Sequence, residues 1–261
     1  MNFYKLYQGD CFDIDIDSKF DLILTDPPYN LISSKWDKKI DWFKLGKKFI
    51  NNLKESGTLI IFGKQPMLVD VYNSFKEYFD FRFEYIWEKQ NMIWVSDYQP
   101  LPVHENIWVF SNKNIPVSNL TFNKNEIGSR GYTRTKRNPS TPSETRSNMV
   151  PKQKNNYRLR MPRTVIKARN MSALPNERLG HPTQKPEKLV NFLIRGHSNK
   201  NDIIFDPFLG SGTTMKVSQD LCRNCIGVEL LDEYCEMIKK RCFMRTFLDR
   251  EVKYDFEEIL N

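Results

Sequence analysis

The stretch Ile203-Ile204-Phe205-Asp206-Pro207-Phe208-Leu209-Gly210-Ser211-Gly212-Thr213-Thr214 runs from an apolar segment through an acidic end and a proline into two closely spaced glycines. The segment 202–205 reads as a buried parallel strand, because 203–205 are apolar without polar alternation. Gly210 and Gly212 permit a tight turn and close approach of backbone to a ligand, and a helix starting at Thr213 presents unpaired N–H groups. A second strand at 225–228 follows the helix and is closed by Glu229. Strand, glycine turn, helix and strand make one βαβ unit, which implies an α/β fold with a mostly parallel sheet. An acidic residue at such a strand end can accept hydrogen bonds from both hydroxyls of a ribose.

The same rhythm extends outward in both directions. Strands are predicted at 3–7, 20–25, 58–62, 83–87 and 107–110, and helices at 41–53, 66–75, 186–194, 213–221 and 232–247. The tail 249–261 reads as a last strand and a helical turn. No internal repeat or heptad array is present. Between 111 and 180 the rhythm breaks into a segment rich in Asn, Ser, Thr, Pro, Lys and Arg. That segment holds 15 lysines and arginines against three acidic residues, inside a chain of net charge +8. The remainder is slightly acidic, so the positive field is localised, as expected for a nucleic-acid surface or for a merely solvated insertion.

Two familiar uses of a glycine turn do not fit. A dinucleotide fingerprint wants glycine where Met215 stands, and a phosphate loop wants Gly-Lys-Ser/Thr where Gly212 is followed by Thr213. The Gly-Lys pair Gly63-Lys64 precedes Gln65, not Ser or Thr. A ligand with a ribose but no phosphate fits better, and S-adenosylmethionine is one. A plain βαβ turn without ligand is the alternative.

Composition narrows the class further. With 261 residues, 39% hydrophobic and 18 Phe, the chain can build a sizeable core. No run approaches the length of a membrane span. The N-terminal residues lack the pattern of a secretory signal, so a cytoplasmic protein is expected. Five cysteines at irregular spacing argue against a disulfide framework.

A second informative segment is Asp26-Pro27-Pro28-Tyr29, which closes the apolar run 22–25. Asp26 therefore stands at the C-terminal end of a parallel strand, where open α/β sheets place ligands. Two prolines fix the backbone and remove two N–H donors, which leaves a concentration of acceptors. An exocyclic amino group of a base offers two N–H donors and a lone pair delocalised into its ring. Two acceptors holding those N–H groups would localise that pair, and Tyr29 offers a face for an extruded base. The bland alternative is an Asp-Pro turn.

These segments together resemble the β group of the amino-group DNA methyltransferases, which modify adenine N6 or cytosine N4. TDPPYN (25–30) resembles the catalytic motif, FDPFLGSGTT (205–214) the S-adenosylmethionine motif, and HPTQKP (181–186) the motif that lines the methionine end of the cofactor pocket. The resemblance implies a seven-stranded, mostly parallel, doubly wound Rossmann-like sheet in permuted order, with one antiparallel edge strand. It divides the chain into a catalytic half (1–110), a basic, loop-rich target-recognition insert (111–180) and a cofactor half (181–261). It implies catalytic roles for Asp26, Pro27, Pro28 and Tyr29. Gly210, Ser211, Gly212 and Thr213 would face the methionine moiety, with Asp206 and Phe208 in the same motif. Glu229 would meet the ribose and Asp10 the adenine ring, with Thr183 and Lys185 in the pocket wall. Arg130, Arg134, Lys136, Arg137, Arg158, Arg160 and Arg163, interleaved with Tyr132 and Tyr157, would contact duplex DNA.

Asp at the first position of the tetrapeptide favours adenine. Cytosine N4 is the runner-up, and an RNA or protein methyltransferase or a non-catalytic binding module stand behind it. The resemblance leaves room for a homodimer and for a cognate restriction endonuclease as partners, and it implies no metal. Cys222-x-x-Cys225 has no second pair at zinc-ligand spacing, and His104 and His197 read as structural.

Overall fold

The structure, a computed structural model, describes residues 2–30, 37, 39–90, 97–130, 159–243 and 253–258. In chain order the elements are β1 (Phe3–Gln8), β2 (Phe20–Thr25), α1 (Trp42–Asn52), β3 (Leu53–Gly63), α2 (Met67–Phe75), β4 (Phe79–Gln90), β5 (His104–Asn112), α3 (Lys124–Ile127), β6 (Ser129–Arg130), β7 (Leu159–Arg160) and β8 (Val165–Arg169). They continue with α4 (Glu187–His197), β9 (Ile203–Asp206), α5 (Thr213–Asp220), β10 (Asn224–Glu229), α6 (Asp232–Ile238) and β11 (Lys253–Glu258).

One nine-stranded sheet runs in the order β11-β1-β10-β9-β2-β3-β5-β4-β8, and β6 pairs β7 in a separate ribbon. Within the nine-stranded sheet, among the described residues, only β5 is antiparallel to its neighbours, β3 and β4. The inner seven strands are the expected sheet, extended by β11 at one edge and β8 at the other. The antiparallel strand lies inside the sheet between β3 and β4, not at an edge.

β8 comes from within the basic block, yet its residues 165–169 pair in parallel with β4. Ile166 and Ala168 are buried while Lys167 and Arg169 are exposed. Two apolar residues at alternate positions suffice for an edge strand, and the intervening cations concealed the pattern. The Trp87 indole N–H donates to the Ala168 carbonyl at 3.0 Å and ties the strand down.

Each central strand is apolar on both sides because helices cover both faces. Ile23, Leu59 and Ile61 pack with Phe49 of α1 and Phe75 of α2. Leu22, Leu24 and Ile60 pack with Leu189, Val190 and Leu193 of α4 on the opposite face. The third cluster holds Leu6, Met215 and Ile238 with Cys225, Cys235 and Cys242, which are free thiols of the core.

β2 and β9 are neighbours through only two register pairs, Leu22 with Ile204 and Ile23 with Phe205. Phe20 and Phe205 stack at 4.4 Å across this junction, which adds on the order of 1 kcal/mol beyond their burial. From here the chain departs in opposite directions, β9 through α5 to β10 and β2 through α1 to β3. Such a divergence opens a crevice beyond the carboxyl ends of the two strands.

The last expected helix, 232–247, is helical over its described residues but not uniformly so. Its α-helical part ends at Ile238 and passes into a π-helical turn over Lys239–Phe243, while 244–247 lie outside the described residues.

Candidate active site

A cavity of about 460 Å³ occupies that crevice, a size suited to a small cofactor. Asp26 and Pro28 reach it from the end of β2, and Asp206, Phe208, Gly210, Ser211 and Thr213 from the turn after β9. Glu229 lines it from the end of β10, Asp10 from beyond β1, and Thr183 and Lys185 from the loop before α4. The two distant motifs thus meet around one space. Three expected residues are absent from the lining. Pro27 is buried, Tyr29 borders a neighbouring cavity of about 900 Å³, and Gly212 caps α5.

The glycine turn is built for close approach. Gly210 (φ +55°) and Gly212 (φ +77°) both occupy the left-handed region that side chains resist. A Cβ on Gly210 would stand 3.1 Å from His181 Nε2, and one on Gly212 would stand 3.0 Å from Ile238. Arg241, from the π-helical turn, braces the bend. It donates to the Ser211 carbonyl at 2.8 Å, to Thr213 Oγ1 at 3.0 Å and to Glu187 Oε1 at 2.7 Å.

Two acidic groups on this side are held from behind. Glu229 accepts the Gly210 N–H at 2.7 Å and the Leu231 N–H at 2.9 Å, and burial pushes its carboxyl up to about 7. Asp206 accepts from Phe208 N at 3.1 Å and from Thr214 Oγ1 at 2.7 Å, and burial likewise pushes it up to about 7. His181 packs on Tyr234, and burial, aided by Lys185, lowers it to about 4, so its ring is neutral.

The Asp26 corner is organised differently. The Tyr29 hydroxyl donates to Asp26 Oδ1 at 2.7 Å, and the Lys185 ammonium pairs with Oδ2. Tyr29, expected as a stacking face, thus spends its hydroxyl on the carboxylate, and its ring centre lies 5.8 Å from the Lys185 nitrogen. Lys185 lines the cavity, with its ammonium directed at Asp26.

Two further charged residues join this group without any signal in the sequence. β5 is antiparallel, so its start lies on the same rim as the ends of its neighbours and brings in Glu105. Glu105 Oε2 lies 3.5 Å from Lys185 Nζ, and Oε1 lies 2.5 Å from Nζ of Lys89, on β4. Burial pushes Asp26 up, and Lys185 is the main group pulling it back. Burial also acts to raise Glu105, but Lys185 and Lys89 outweigh it and hold its carboxyl low. Lys185 is raised because Asp26 and Glu105 outweigh the effect of its burial.

Of the residues expected to meet DNA, Arg160 and Arg163 are exposed. Arg130 lies in β6, where only its backbone is described. Arg134, Lys136, Arg137 and Arg158 lie outside the described residues, as do Tyr132 and Tyr157. His197 is buried, with Nε2 3.1 Å from the Tyr85 hydroxyl. Among the described residues, no cluster of three or more His, Cys, Asp or Glu side chains could hold a metal ion. None of the described helices is long and apolar enough to cross a membrane.

Residues 20–240 match the DNA methylase family, and the chain belongs to it. Type II methyltransferase M.HpaI of Haemophilus parainfluenzae is 29% identical over 238 residues, covering 86% of this chain and 68% of that protein. DNA adenine methyltransferase YhdJ of Escherichia coli (strain K12) is 29% identical over 248 residues, covering 92% and 79%. The crystal structure of the M1.HpyAVI-SAM complex superposes with a TM-score of 0.66 at 26% identity, covering 91% of this chain and 98% of that one.

Proposed function

We propose that this chain transfers a methyl group from S-adenosylmethionine to N6 of adenine in duplex DNA, at a defined sequence, after the base has swung out of the helix. The observation that carries this reading is the junction of β2 and β9. It brings Asp26 and the glycine turn to one cavity although 180 positions separate Asp26 from Asp206.

The cavity suits the cofactor. Glu229 presents a buried carboxylate for the ribose hydroxyls, its back already held by two amides. Asp10 stands at the rim for the adenine ring, and Gly210 leaves backbone bare beside the methionine portion. When bound, S-adenosylmethionine supplies an activated methyl. Asp26, with the Pro27 carbonyl, accepts the N–H groups of the exocyclic amine, which directs its lone pair out of the ring system. Asp26 lies inside a cavity, and an amine within a stacked duplex could not reach it, which favours base flipping.

Two facts support adenine. Asp stands first in the tetrapeptide, and a relative matched over 92% of the chain is a DNA adenine methyltransferase. The exposed cations Arg160, Arg163, Lys167 and Arg169 support a polyanionic substrate.

The test is to incubate the protein with a plasmid of known sequence and S-adenosylmethionine and to read modified bases by long-read sequencing. N6-methyladenine at one recurring site is expected. N4-methylcytosine would overturn the choice of base, and methyl label entering only RNA or protein would overturn DNA as substrate.

A further inference from the structure

We propose that Lys185 is a positioning residue that caps Asp26 in the waiting enzyme and passes to Glu105 when a target amino group arrives. This rests on Asp26 being the acceptor for that amine.

Four charged groups form a closed set. Asp26 and Glu105 carry two negative charges, Lys185 and Lys89 two positive ones. Their side chains are 21%, 8%, 10% and 11% exposed, respectively. Removing any one charge leaves the buried set with an unbalanced charge, which is strongly unfavourable. Asp26 needs a cation nearby, because burial alone would favour its protonated form, in which one oxygen carries a proton and acts as a donor and the other is a weaker acceptor than a carboxylate.

Yet both Asp26 oxygens already hold a donor, Tyr29 on Oδ1 and Lys185 on Oδ2. An arriving amine brings two more. The structure contains a second seat for the ammonium. Glu105 Oε2 is buried, has no hydrogen-bond partner among the described residues, and lies 3.5 Å from Lys185 Nζ. Lys89 holds the other Glu105 oxygen, which keeps Oε2 turned to Lys185. The rings of Tyr29 and Phe62, centred 5.8 and 5.1 Å from the same nitrogen, favour a cation along the short path between the carboxylates. A small rotation of the lysine therefore frees Asp26 Oδ2 without stranding a charge. Lysine suits this better than arginine, being a point charge on a flexible stem.

The test combines a readout independent of DNA with a kinetic one. Protein carrying ¹³C-labelled Asp carboxyls, with the Asp26 signal assigned through Asp26→Asn, is titrated without DNA or cofactor. The charged and titratable groups facing Asp26 are Tyr29, Lys185, Glu105 and Asp206, and those facing Glu105 are Lys185, Lys89, Lys64 and Asp26. Lys185→Met should make Asp26 at least about tenfold weaker as an acid, and Lys185→Arg should restore it. Glu105→Gln should move the titration the opposite way, because Lys185 then attends Asp26 alone, so the test survives if Lys185→Met does not fold. In steady-state kinetics, Glu105→Gln should raise KM for duplex DNA or lower kcat about tenfold, with affinity for S-adenosylmethionine unchanged.

An Asp26 titration indifferent to both substitutions overturns the cap. A Glu105→Gln enzyme with parental kcat and KM overturns the hand-over. A parent that methylates no DNA, although its Asp26 titration responds to Lys185, overturns the assigned reaction and the hand-over with it, while the cap stands.

Discussion

Asp26 and Glu229 stand on the same rim of one sheet and line the same cavity, but they are held by opposite means. Glu229 is gripped by two backbone amides, Gly210 and Leu231, whose positions follow from the turn after β9 and the entry to α6. Asp26 is gripped by the tips of two side chains, Tyr29 and Lys185, the second arriving from 159 positions away. Backbone donors cannot leave without rebuilding the turn, whereas side-chain donors can rotate away. The first arrangement suits a ligand bound the same way in every cycle. The second suits a partner that must be exchanged.

The contrast breaks most visibly at Asp26. Replacement by alanine should lower kcat by about 10²–10³ or more. Calorimetry should find cofactor affinity within about twofold of the parent, since no backbone donor is removed. A comparable fall in cofactor binding would show that the two corners are one unit.

Glu229→Ala should give the mirror image. Affinity for S-adenosylmethionine should fall by about 10–100-fold, the loss of charge-assisted hydrogen bonds to ribose. At saturating cofactor kcat should return to near the parental value, and a persistent loss there would remove the distinction.

A smaller effect belongs to the outer edge. Changing Arg160, Arg163, Lys167 and Arg169 to glutamine should weaken DNA binding and flatten its dependence on log[salt] by about one for each phosphate no longer neutralised. An unchanged salt slope would move the DNA surface away from β8.

The smallest effect concerns pH. Asp206 is raised by burial from 3.8 to about 7, so the folded state favours its protonated form. Its stabilising contribution is complete below about pH 4 and is lost as pH rises through about 7. Asp206→Asn should therefore gain on the parent over that range, reaching roughly 5 °C in Tm by pH 8. His181 and His197, lowered to about 4, tilt the parent's own curve the other way, so the quantity to follow is variant minus parent. A constant difference across pH would mean that the Asp206 carboxylate is not strained in the empty protein.

Residues 22–25 and 203–205 announced themselves as strands through continuous apolar character, and the punctuation after each, Pro-Pro and Gly-x-Gly, marked the corners where Asp26 and Gly210 stand. These signals are local, because strand period, helix period and turn chemistry act over a few residues. Glu105, Lys89 and Arg241 carry no such mark. They became site residues because β5 runs antiparallel inside the sheet and because the turn after α6 folds back over the glycine bend. β8 was hidden for a related reason, since two alternate apolar residues among cations mean little until β4 offers an edge to pair with. Local pattern in the sequence determined which corners could do chemistry. Which charges meet at those corners was decided by strand order, since only tertiary packing brings residues 26, 89, 105 and 185 into one low-dielectric space where each must be neutralised by another.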